Sequence, residues 1–102
     1  MKFGIVIKHE GRNIRLQVQR ISITSQLEKF QVIARNRSLT IQSNRPLLRA
    51  KGMKTRKPDY KLVAGIMHNL FLVQQIIDVL HYKLKDLENP SVSPAEWLRR
   101  KQ

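Results

Sequence analysis

The sequence predicts an α+β fold: a four-stranded antiparallel meander covered by one long C-terminal helix, with a short final helix after it. Two periodicities carry that reading. Through residues 1–43 apolar side chains tend to return at every second position, and from Tyr60 onward they return at steps of three and four. A sheet with one apolar face must cover it, and a long helix with an apolar stripe is the available cover. At 102 residues the chain fits one domain. It divides into a sheet (1–43), a basic linker (44–58), a long helix (59–88) and a short helix (93–101).

The first strand is "KFGIVIK", and "HEGR", with Gly11, turns the chain into the second. In "NIRLQVQ" Ile14, Leu16 and Val18 alternate with Arg15, Gln17 and Gln19. Ile21 and Ile23 fall on the opposite parity, which predicts a bulge or break near Gln19 and Arg20. "EKFQVIAR" puts Phe30, Val32 and Ala34 on one face, "NRS" turns, and "LTIQS" adds Leu39 and Ile41. Phe30 shares the parity of Val32 and Ala34, so it belongs to the core and is no stacking platform. The opposite face is then wet and carries Arg15, Gln17, Gln19, Lys29, Gln31, Thr40 and Gln42.

Leu62, Val63, Ile66, Leu70, Val73, Ile77, Leu80, Leu84 and Leu87 recur with helical spacing. Asp59, after Pro58, is the expected N-cap, since a carboxylate there accepts orphan amide hydrogens at the positive end of the dipole. "ENP" ends this helix, and Ser93, Pro94 and Glu96 form a capping box that starts the last one, with Trp97 and Leu98 docking. At about 100° per residue, Phe71, Leu72 and Val79 fall outside the main apolar arc; they either pack under the linker or the final helix or form the seam of a homodimer, and are assigned as the candidate seam.

Charge supplies the functional expectation. Twenty Lys and Arg oppose seven Asp and Glu, a net +13. Residues 1–61 hold 15 of the cations and 3 of the acids, +12, which leaves +1 for residues 62–102. Such an excess costs the compact state self-repulsion and favours polyanionic partners. The linker stretch "RPLLRAKGMKTRKPDYK" concentrates it in Arg45, Arg49, Lys51, Lys54, Arg56, Lys57 and Lys61. Pro46 and Pro58 stiffen its ends and Gly52 lets the backbone approach a strand closely. These seven, helped by Arg35, Arg37 and Arg15, are the expected nucleic-acid contacts, made mainly to phosphates of DNA or RNA with little sequence specificity. The alternative is a protein interaction module, either a homodimer or the basic subunit of a complex.

Other chemistries find no support. Without cysteine there is neither a disulfide nor a thiolate metal site. His68 and His81 stand 13 positions apart on the expected helix and His9 in a turn, so no metal is expected. "KPDYK" superficially resembles the Pro-Asp start of a metal-dependent nuclease site, but the acid-x-Lys strand does not follow it. No glycine-rich phosphate loop or nucleophile motif is visible, so no enzyme, cofactor or small-molecule substrate is expected. The apolar run near residue 5 is too short for a signal core, and residues 62–87 are broken by His68, Asn69, Gln74, Gln75 and Asp78. The expected setting is soluble and cytoplasmic, with no membrane partner.

Overall fold

The computed structural model describes residues 1–35, 37–53, 56–65, 67 and 69–88. Its five strands form one antiparallel sheet in chain order: β1 (Lys2–His9), β2 (Arg12–Ile23), β3 (Glu28–Ala34), β4 (Arg37–Ser43) and β5 (Tyr60–Ala64). A short helix, α1 (Arg45–Ala50), lies between β4 and β5, and the long helix α2 (Leu70–Glu88) follows β5. The α+β class and the meander are as expected, with β5 as a small extra strand. The short helix expected over 93–101 lies outside the described residues.

Alternation sets the sheet's two faces. Phe3, Ile5 and Ile7 on β1 pair across with Val18, Leu16 and Ile14 on β2, and Val18 continues to Val32 and Leu39. A second row runs from Phe30 to Ile41 to Leu62. These face α2, whose Val73, Ile76, Ile77, Leu80 and Leu84 are buried against them. Phe30, Ile41 and Leu80 are completely enclosed. The tight turn between β1 and β2 has positive φ at both Glu10 (51°) and Gly11 (74°), the geometry that matches the twist of a two-residue hairpin. The parity change in β2 is a register shift between Arg20 and Ser22, and Ile21 and Ile23 beyond it are half-exposed.

Three boundaries differ from the sequence reading. The long helix begins at Leu70, not at 59, because residues 60–64 pair with β4 as a strand: Ile41 opposite Leu62 and Ser43 opposite Tyr60. Tyr60 and Leu62 fit a period of two as well as one of three to four, and a short apolar run does not separate the two. Gly65 is the punctuation that decides it. Its φ is 93°, and a Cβ there would sit 2.7 Å from the Ser38 carbonyl oxygen, so the chain turns off the sheet where only glycine fits. Asn69 then receives the helix: its side-chain oxygen accepts from the Leu72 amide at 3.2 Å.

Asp59 is therefore no N-cap. Its amide donates to Asn44 Oδ1 at 2.8 Å, while its carboxylate accepts from Asn44 Nδ2 at 3.4 Å, so the two residues tie together the ends of the linker. The linker also holds a helix that the sequence reading did not assign, α1. Pro46 sits in the first turn of α1, where its missing N–H costs nothing, and Leu48 is buried.

Candidate nucleic-acid interface

Among the described residues nothing covers the sheet face turned away from α2. Register places its residues in rows across the strands: Lys29, Gln42 and Lys61 in one, and Lys2, Gln19, Gln31 and Thr40 in the next. Gly4, Gln17, Ile33 and Ser38 form a third, followed by Val6 with Arg15 and Lys8 with Asn13. Lys2, Lys8, Arg15, Lys29 and Lys61 are all exposed there, and none of the strand residues on this face is acidic. With strands roughly 4.8 Å apart, Lys29 and Lys61 flank Gln42 at a backbone separation of about 10 Å. Among the described residues no aromatic side chain lies on the face, since Phe3, Phe30 and Tyr60 point to the core side. The surface is thus a grid of cations and amides interrupted by the exposed Val6 and Ile33, able to meet phosphates and to donate or accept hydrogen bonds, with no ring among the described residues on which bases could stack.

The ten sequence-assigned residues separate into groups. Arg15 and Lys61 are on the open face. Arg35 and Arg37 flank the β3–β4 turn, Arg35 with a φ of 42°. That turn is at the opposite end of the sheet from the linker, about 20 Å away along β3 at roughly 3.3 Å per residue. The linker and these arginines therefore do not converge. Arg37 pairs opposite Ala34, and the neighbouring β1–β2 turn adds Arg12 and Lys8 to the same end. Sequence parity could have included Lys2 and Lys8, since both alternate with Phe3, Ile5 and Ile7.

The linker cations have other engagements. Arg45 is buried, only 7% exposed, and its Nε is ion-paired with Glu28 Oε2 while Nη2 donates to Glu28 Oε1 at 3.3 Å. The same guanidinium lies over the Phe30 ring, 5.8 Å from its centroid. Arg49 forms an ion pair with Glu88 at the end of α2. Lys57 Nζ is 3.9 Å from Asp78 Oδ1. Lys51 and Arg56 are exposed, and Lys54 lies outside the described residues. Arg45 is thus a structural cation, a role that spacing along the sequence does not reveal.

Beside the linker, Tyr60 Oη and His81 Nδ1 lie 2.9 Å apart with their rings edge to face. Burial pushes the Tyr60 phenol up to about 12 and holds His81 below its ordinary value, with Lys57, Lys85 and Arg45 lowering it further. Both groups are therefore neutral near pH 7, and the tautomer of the imidazole sets which of them donates. Of the candidate homodimer residues, Phe71 is 90% exposed, whereas Leu72 and Val79 are partly buried against the core. Among the described residues no group of three or more His, Asp or Glu side chains could hold a metal ion, and no helix is long and apolar enough to cross a membrane. No protein-family model, curated protein or solved structure matches the chain.

Proposed function

We propose that the protein binds nucleic acid through phosphate contacts from the open face of its sheet, with little dependence on base sequence. One observation supports this most: five exposed cations share a face with glutamines, hydroxyls and the exposed Val6 and Ile33, and with no carboxylate among the described strand residues. Cations gathered on one side at the cost of mutual repulsion are relieved by a polyanion, and the gain comes from release of its condensed counterions. The absent aromatics argue for contacts to backbone over stacked bases, and the amides offer hydrogen bonds to sugar or base edges.

A salt-series titration of the whole protein against duplex and single-stranded DNA and RNA tests the reading. Engagement of all five cations gives a slope of log K against log salt of about −4.5 on duplex and about −3.5 on single strands. Replacing Lys29 and Lys61 with Ser flattens the duplex slope by about 2. The same change at Lys51 and Arg56, in the linker, leaves it largely intact. Failure to bind either form at low salt, or an unchanged slope in the Lys29→Ser/Lys61→Ser variant, would defeat the proposal.

The interaction-module alternative has its own support in Phe71, 90% exposed beside Leu70 at 77%. It predicts self-association that Phe71→Ser abolishes, measured by sedimentation equilibrium.

A further inference from the structure

The linker and the last turns of α2 enclose a cleft of about 580 Å³. That falls inside the range of roughly 300–1,000 Å³ common to small-molecule sites. It opens on the helix side of the sheet, so it is separate from the face assigned above and does not depend on that assignment.

Its walls combine two kinds of surface. Leu48, Met53, Pro58 and Leu84 give an apolar lining, joined by the rings of Tyr60 and His81. Arg49, Arg56, Lys57 and Lys85 are also part of the wall, with Arg45 behind them and Glu88 as the one carboxylate among the described lining residues. Glu88 is already engaged, by Arg49 and by Arg45 Nη2 at 3.7 Å. Arg56, Lys57 and Lys85 therefore add three positive charges beyond those that Glu88 answers, of which Lys57 also faces Asp78 Oδ1 at 3.9 Å. Arg45 supplies a second, independent sign. Its Nη1 has no hydrogen-bond partner among the described residues although the side chain is only 8% exposed, which leaves a buried donor in need of an acceptor.

His81 senses the same field. Burial is the largest cause of its lowered pKa, Lys57, Lys85 and Arg45 each disfavour its protonated form further, and Asp78 opposes them as the smallest contribution. The C-terminal end of α2 brings partial negative charge toward Glu88. Lys85, in the last turn, stands against it.

We infer that this cleft binds a nucleoside phosphate, with the phosphate on Arg56, Lys57 and Lys85 and the base against the apolar and ring-lined wall. An inorganic anion would use the cations but leave the apolar wall wet. A neutral aromatic would do the reverse. The nucleotide could be free or the phosphorylated end of a strand, since both present the same chemistry.

Calorimetric titration of the full chain with AMP, inorganic phosphate and a 5′-phosphorylated trinucleotide at low salt tests this. AMP binds measurably and inorganic phosphate at least tenfold more weakly. A trinucleotide tighter than AMP assigns the site to strand ends, and equal or weaker binding assigns it to free nucleotides. Arg56→Ser/Lys85→Ser, both at exposed positions, weakens AMP roughly tenfold, whereas Lys29→Ser/Lys61→Ser leaves AMP binding unchanged. In NMR the His81 imidazole resonances shift on addition of AMP. The inference is overturned by absent AMP binding at millimolar concentration or by phosphate binding as tightly as AMP. Equal loss in the open-face and cleft variants would also overturn it, whatever the outcome for longer nucleic acid.

Discussion

Arg45→Met should be among the most damaging substitutions in this protein, although Arg45 sits in a segment whose charge looks dispensable for folding. Glu28 is 1% exposed at the start of β3, and Arg45 reaches it with both Nε and Nη2. Removing the guanidinium leaves the enclosed carboxylate, among the described residues, with the single ion pair to Arg20, whose Nη1 is 3.7 Å away and whose side chain is 27% exposed. Breaking a buried pair from one side costs about 3–5 kcal/mol, and the residual Arg20 contact places this case near 3. For a domain of this size that lowers Tm by about 12–24 °C. Arg49→Met is the control, because its pair with Glu88 is largely in solvent and is worth about 0–1 kcal/mol. Urea unfolding followed by circular dichroism measures both, at unchanged m value. Should Arg45→Met not fold, Arg45→Lys retains the charge, loses the two-nitrogen fork and is expected to cost about 1–2 kcal/mol. The double variant Glu28→Leu/Arg45→Met should recover much of the loss, since it removes the stranded charge as well. Equal destabilisation by the Arg45 and Arg49 changes, or a double variant worse than the sum of its singles, would refute the reasoning.

Other expectations follow from single sites. Gly65→Ala should cost about 2 kcal/mol or more, because a left-handed backbone and a 2.7 Å approach to the Ser38 oxygen act together, and thermal melting would show it. His81 has a folded-state pKa below its unfolded value, so its contribution to stability is present above the unfolded value near 6.5 and is lost as pH falls through the folded one. Melting temperature should therefore decline below neutrality more steeply in the native chain than in His81→Gln. Tyr60 behaves in the opposite sense: raised to about 12, it favours the fold below pH 10 and loses that contribution as pH climbs toward 12. An absorbance titration of Tyr82→Phe, which leaves Tyr60 as the one remaining tyrosine, should show phenolate only near that upper value. Phe71→Ser should change monomer stability by less than about 0.5 kcal/mol in urea unfolding, given its 90% exposure.

The strands were legible because alternation needs no tertiary information. Ile14, Leu16 and Val18 point one way from any β-strand, and Arg15 and Gln17 the other. Even the bulge at Ile21 left its trace as a change of parity. β5 was hidden because Tyr60 and Leu62 satisfy both periods, and what resolved them was the approach of Gly65 to Ser38, a contact between residues distant in sequence. α1 was masked by charge: "RPLLRA" reads as linker until Leu48 is seen to be buried and Pro46 to occupy the first turn. The candidate site shows the same division. Arg15 and Lys61 could be placed by alternation, whereas the separate engagements of Arg45 with Glu28 and Arg49 with Glu88 could not.

That division also bears on why the chain carries so many cations. A positive charge already answered by a carboxylate needs no external partner to be tolerated, and on the helix side Arg20, Arg45 and Arg49 are answered by Glu28 and Glu88. No carboxylate of the strands shares the open face with Lys2, Lys8, Arg15, Lys29 and Lys61. Replacing these five reduces self-repulsion and removes no buried contact, so a variant with all five changed to Ser should be at least as stable as the native chain in low salt. A variant that instead melts lower would mean that the face contributes to folding, and the argument from uncompensated charge to a polyanionic partner would lose its premise.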